Sequence, residues 1–141
     1  PLAKLVYERI WNKIKIKNPI FIPIPLSKNR LKERGFNQAE LIAKYLSDKI
    51  KTSDVDQKNI GCLTNVLYKI KDTPSQVKTT SKRERLKNLR GSFSVKNPET
   101  IRGRNIILLD DIVTTGATLA EARGVLKKAG AKKILAVVVA H

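Results

Sequence analysis

The sequence predicts an α/β fold with a mostly parallel sheet flanked by helices. Three observations carry this. A chain of 141 residues that is 41% hydrophobic has enough apolar mass for one packed domain over 1–141. Two apolar runs, Asn105–Leu109 and Lys133–Ala140, read as strands buried on both faces. Between them Thr115–Ala129 has helical character and ends at Gly130, a natural residue just past a helix C-terminus. Strand, helix and strand in that order form a parallel β-α-β unit.

The earlier elements follow the same logic. Leu2, Leu5, Val6, Ile10 and Ile14 recur at helical spacing. Ile20–Ile24 is a short apolar run punctuated by Pro23 and Pro25, so it reads as a strand running into a loop. Leu26–Phe36 is polar and basic and reads as that loop. Asn37 can cap a helix reaching about Ile50, with Ala39, Leu41, Ile42, Tyr45 and Leu46 as its apolar positions. Thr52–Gly61 is a polar connection, and Cys62–Ile70 is β-leaning. Lys71–Thr80 reads as a loop, Ser81–Leu89 as a short charged helix, and Ser92–Val95 as a strand before a turn at Asn97 and Pro98.

Composition narrows the function classes. Lys and Arg total 29 against 12 acidic residues, a net charge of +17, which favours a polyanionic partner: a phosphate-rich small molecule or nucleic acid. Aromatic residues make up 5%, so a base-stacking platform is not evident. Cys62 is the single cysteine, which excludes an intramolecular disulfide and fits a reducing, cytoplasmic setting. His141 is the single histidine, so neither a Cys/His metal site nor an internal histidine base is available. No run of about 18 apolar residues suggests a membrane span. Pro1–Ile14 interrupts its apolar positions with charges, unlike a secretion signal.

The chemistry concentrates at Ile106–Thr118. The strand ends in Asp110 and Asp111, at the carboxyl edge where open α/β sheets bind ligands. A turn of small hydroxyl residues and one glycine follows: Val113, Thr114, Thr115, Gly116, Ala117 and Thr118. Gly116 lets the backbone curl, amides of the turn can face one concavity, and the helix dipole adds about half a positive charge there. This suits a phosphate monoester. The acids would repel that phosphate and need a donor-rich partner instead, either vicinal ribose hydroxyls or Mg²⁺ bridged to substrate oxygens. The segment reads as a clamp for a ribose 5-phosphate. The loop Leu26–Asn37 follows an early strand and can lie at the same edge, where it offers Lys28, Arg30, Lys32 and Arg34.

The strand, acid pair and threonine turn resemble the phosphoribosyl diphosphate motif of type I phosphoribosyltransferases. More narrowly the chain resembles the ComF family, with its ComFC-like and GntX-like members. The residues that carry this are Pro23-Ile24-Pro25-Leu26-Ser27, Arg30, Glu33-Arg34-Gly35-Phe36-Asn37-Gln38-Ala39, Thr73-Pro74-Ser75-Gln76, Arg83, Arg85, Asn88 and Gly91-Ser92-Phe93. The resemblance spans about Ile20–Ala140. It implies a type I phosphoribosyltransferase-like fold with a flexible hood over Lys71–Asn88. It implies 5-phosphoribosyl 1-diphosphate as substrate and Mg²⁺ as cofactor, held through the diphosphate rather than by a direct protein cage. It places Ser27, Lys28, Arg30 and Arg34 near the pyrophosphate, Arg83 in the hood, and Asp110 and Asp111 as the catalytic acids. Family members commonly begin with a zinc-binding, cysteine-rich segment, which is expected to be absent from a chain whose single cysteine is Cys62.

Two classes of function then compete. One is an enzyme that transfers phosphoribosyl to an acceptor and releases pyrophosphate. The other, implied by the ComF resemblance, is a non-catalytic sensor of phosphoribosyl diphosphate or nucleotide, or a single-stranded DNA-binding module of natural transformation working with competence proteins. The acceptor and the oligomeric state leave no mark in the residues.

Overall fold

A computed structural model describes residues 16–53, 60–70, 90–112 and 116–140, with Lys4 and Arg83 singly. The strands are β1 (Ile20–Pro23), β2 (Gly61–Cys62), β3 (Leu67–Lys69), β4 (Phe93–Val95), β5 (Asn105–Ile112) and β6 (Lys133–Ala140). The helices are α1 (Lys28–Arg34), α2 (Gln38–Ser53) and α3 (Ala117–Lys128). The helix expected near the start, and most of the segment expected to form the hood, lie outside the described residues.

Four strands form one parallel sheet in the order β2-β1-β5-β6. β3 and β4 make a separate antiparallel pair, with Leu67 opposite Val95 and Lys69 opposite Phe93. Alternation along the pleat sorts the side chains of β1 and β5 into two cores. Ile20, Ile22, Ile106 and Leu108 pack with Val66, Phe93, Leu119, Ala122 and Leu126, on the side of α3 and the β3–β4 pair. Phe21, Ile107 and Leu109 pack with Ala39, Ile42, Ala43, Leu46 and Ile50 of α2 on the other side. Ile106, Ile107, Leu108 and Leu109 are all at most 1% exposed, which is why β5 reads as an unbroken apolar run.

Several expectations need correction. The segment Leu26–Phe36 is not simply a loop, because Lys28–Arg34 form a helix. Its ends explain it. Ser27 Oγ accepts from the Arg30 amide at 3.3 Å, the Leu31 amide donates to the Ser27 carbonyl, and Gly35 closes the last turn at φ 80°. Cys62–Ile70 is two strands in two sheets rather than one β stretch, with a bend over Thr64–Val66 between them. In α2, Leu41 points outward and is 57% exposed, while Ala43 and Ile50 supply core contacts. β5 runs beyond Leu109 to Ile112, so both acids belong to the strand. α3 begins at Ala117, after Gly116 in the left-handed region.

Candidate functional site

The connections after β1 and β5 leave the sheet on opposite faces. β1 leads to α2, which packs against Phe21 and Ile107; β5 leads to α3, which packs on the Ile22 and Leu108 side. Neighbouring strands whose connections diverge in this way leave a crevice at their carboxyl ends, where ligands of open α/β sheets bind. The Ile24 amide extends the ladder there by donating to the Leu109 carbonyl at 2.8 Å.

Several of the residues singled out from the sequence lie at these carboxyl ends. On one side Ser27 is buried and caps α1, from which Lys28, Arg30 and Arg34 arise. Asn37 ties this side to the strand: its Nδ2 donates to the Ile24 carbonyl at 3.0 Å, while its Oδ1 accepts from the Ala39 amide at 3.0 Å and starts α2. On the other side Asp110 is 9% exposed and stands in register with Val138. Arg34 Nη1 lies 3.6 Å from Asp111 Oδ2, an ion pair that joins the two sides of the crevice.

Alternation along β5 separates the two acids. Asp110 shares the face of Ile106 and Leu108, toward α3, and Asp111 shares the face of Leu109, where Arg34 meets it. The turn that follows is described from Gly116 onward; Val113, Thr114 and Thr115 lie outside the described residues. Gly116 adopts φ 77°, and a Cβ built there meets nothing within 4 Å, so its demand for glycine is conformational rather than steric. Ala117 and Thr118 open the first turn of α3 at intermediate exposure, with the Ala120 amide donating to the Gly116 carbonyl at 3.0 Å. Arg83 is helical, but its neighbours in the expected hood lie outside the described residues.

Other reactive groups are poor candidates. Burial pushes the Cys62 thiol up to about 11, so it is protonated at neutral pH and a weak nucleophile. Among the described residues no group of three or more His, Cys, Asp or Glu side chains gathers. Among them, too, no helix is long and apolar enough to cross a membrane. What the sequence did not reveal was the Arg34–Asp111 pair, because 77 positions of chain separate the two and only the β1–β5 pairing brings them together.

Comparison with known proteins agrees with this architecture. The phosphoribosyl transferase domain family matches residues 2–141. The chain is 32% identical to Competence protein F of Haemophilus influenzae, over 94% of this chain and 56% of that protein. It is 39% identical to Competence protein ComFC of Bacillus subtilis over 84% and 42%, and 31% identical to the DNA utilization protein YhgH of Escherichia coli O157:H7 over 94% and 53%. It thus spans about half the length of these relatives. Among solved structures it resembles the allosteric regulatory enzyme of purine biosynthesis and the glutamine phosphoribosylpyrophosphate amidotransferase of B. subtilis. Each has a TM-score of 0.57 at 14% identity, over 98% of this chain and 25% of the other. At that identity the likeness concerns the fold alone, and it bears out the type I phosphoribosyltransferase-like fold. The relatives bear out the resemblance to ComF proteins carried by Arg34-Gly35-Phe36-Asn37-Gln38. With the parallel sheet, the acid pair ending β5 and a match along residues 2–141 all in agreement, the chain belongs to the phosphoribosyl transferase domain family.

Proposed function

We propose that this chain, acting as one phosphoribosyltransferase-like domain, binds 5-phosphoribosyl 1-diphosphate with Mg²⁺ and transfers the phosphoribosyl group to an acceptor. The observation that carries the reading is the crevice at the β1–β5 carboxyl ends, where a basic helix and an acid pair meet through Arg34 and Asp111. In this reading Asp110 and Asp111 accept hydrogen bonds from the ribose hydroxyls. The turn from Val113 to Thr118 takes the 5′-phosphate through its amides and hydroxyls. Ser27, Lys28, Arg30 and Arg34 face the pyrophosphate, and Arg83 reaches it from the hood. Arg34 then exchanges a carboxylate partner for a diphosphate one, which a guanidinium fork suits.

In the transfer the C1′–oxygen bond breaks with its electron pair leaving on pyrophosphate. The acceptor's lone pair forms the new C1′ bond, and the acceptor gives up its proton. Cations of α1 stabilise the charge that gathers on the leaving group. Because the pleat turns Asp110 and Asp111 to opposite faces, they do not fit Mg²⁺ as a shared pair; the ion would be held chiefly through diphosphate oxygens with at most one carboxylate. When bound, the ion would neutralise part of the diphosphate charge.

Calorimetric titration with Mg²⁺ and phosphoribosyl diphosphate tests the assignment. The Asp110→Asn, Asp111→Asn double variant is expected to melt as the parent does and to lose roughly a hundredfold in affinity, about 2.7 kcal/mol. Unchanged affinity would sink the clamp. Pyrophosphate release with a panel of bases and amines tests turnover.

The names of the relatives and the net charge of +17 favour one second reading, a non-catalytic sensor or a single-stranded DNA-binding module of natural transformation. It predicts gel-shift binding of single strands with a steep salt dependence and no pyrophosphate release.

A further inference from the structure

The opposite, amino end of the sheet carries a separate feature. A cavity of about 440 Å³ opens beneath the starts of β5 and β6 and the segment that enters β1. Among its described lining residues four are cations, Lys17, Arg104, Lys132 and Lys133, and none is a carboxylate. Its volume lies within the usual range for small-molecule sites, roughly 300–1,000 Å³.

Hydrogen bonds tie together the segments that carry these cations. Arg104 Nη2 donates to the Asn18 carbonyl at 3.3 Å, and Asn105 Nδ2 donates to the Lys17 carbonyl at 2.9 Å. The Lys132 amide donates to the Arg104 carbonyl at 2.8 Å, and Lys133 stands in register with Asn105. Asn18 and Gly103 adopt left-handed backbone at φ 50° and 71°, a conformation glycine takes freely and asparagine more readily than other side-chain-bearing residues. Lys127 Nζ also donates to the Lys132 carbonyl, which brings a further cation to the rim. Segments near positions 17, 104 and 132 are therefore tied together so that their positive charges converge. Positive charge concentrated at one cavity raises the local concentration of anions.

We propose that this cavity is a second anion site, one that binds an oligophosphate chain. Guanidinium and ammonium donors converging from three segments suit phosphate oxygens, and four cations match a chain of linked phosphates better than a single one. No aromatic side chain is among the described lining residues, so the phosphates rather than a base are what the site recognises. It is distinct from the acid-pair crevice: six residue steps along β5, from Asn105 to Asp111, put the two about 20 Å apart.

An amide NMR titration of the full chain with inorganic triphosphate tests this, because the two ends report separately. The Gly103, Arg104 and Asn105 amides are expected to shift. The Lys17→Gln, Lys132→Gln variant replaces exposed side chains and is expected to melt as the parent does. It should lose roughly tenfold or more in affinity at those amides. The Asp110→Asn, Asp111→Asn variant should keep the shifts. A parallel titration with a short oligodeoxythymidylate identifies the source of the phosphates. The same shifts with the same lysine dependence mean the cavity accepts a strand's backbone, and their absence means it takes free oligophosphates alone. Silent Gly103 and Asn105 amides with both probes, or a lysine variant that binds as the parent does, overturns the proposal.

Discussion

The two ends of β1 and β5 share the same strands and the same two cores yet differ in charge. The carboxyl end mixes signs, with the acid pair of β5 near a basic helix and an Arg34–Asp111 pair formed between them. At the amino end the charged residues among the described cavity lining are all cations. The contrast separates two recognition problems. A ligand that is part anion and part polyol needs acceptors as well as donors, and the carboxyl end has both. An oligophosphate needs donors only, and the amino end has those. The ends also differ in construction. The carboxyl end is made by residues that start and stop helices, Ser27, Gly35 and Gly116, whereas the amino end is made by tight turns before strands, at Asn18 and Gly103.

The largest expected effect comes from breaking what the ends share. Leu108 is fully buried in the middle of β5, between Asn105 and Asp111. Leu108→Ala should lower stability by about 2–5 kcal/mol, as deletion of a buried leucine side chain commonly does. Denaturant unfolding measures it. If the ends depend on one strand, amide exchange should rise at Gly103 and at Gly116 together. A rise confined to one end would mean that the two are supported independently.

How far these ends were legible in the sequence depended on the physical signal each leaves. β5 was readable because an unbroken apolar run is what a doubly covered strand requires, and α3 because Gly130 marks the helix end at φ 111°; β6 is a strand as expected but not one buried on both faces, since it ends the order of the described sheet and leaves Leu135 38% exposed. The acids were readable because they directly follow the apolar run, whereas Thr114 and Thr115 of the expected turn lie outside the described residues. α1 was missed because it is short and none of its residues is buried, so it has no apolar period; Ser27, Gly35 and the Asn37 tether to Ile24 make it. The split of Cys62–Ile70 was missed because its two halves are equally β-prone and only their partners, β1 and β4, differ. The amino-end cavity left no linear signal, since Lys17, Arg104 and Lys132 converge only when three strand starts are placed side by side.

A smaller effect sharpens the contrast in construction. Ser27→Ala removes the side-chain cap of α1 and should cost about 0.5–2 kcal/mol by denaturant titration. The Arg34 side chain should then lose its fixed approach to Asp111, weakening phosphoribosyl diphosphate binding while leaving triphosphate shifts at Gly103 unchanged. Parallel losses at both ends would contradict the idea that helix capping serves the carboxyl end alone.

The smallest expected effect on stability falls on the ion pair that spans the crevice. Arg34 is 48% exposed at its side chain and Asp111 21%, and a pair this open to water and 3.6 Å apart contributes at most about 1 kcal/mol. Arg34→Ala should therefore leave the melting temperature nearly unmoved. Its effect on ligand should be much larger, because the guanidinium then has no substitute as a bidentate donor to the diphosphate. Lys at the same position should rescue only part of that loss, since an ammonium supplies the charge without the fork. Comparing the stability and the affinity of Arg34→Ala and Arg34→Lys separates a residue that holds the fold from one that holds the ligand. A variant that unfolds early and binds normally would assign Arg34 to the first role and leave the carboxyl end without an arginine clamp at that position.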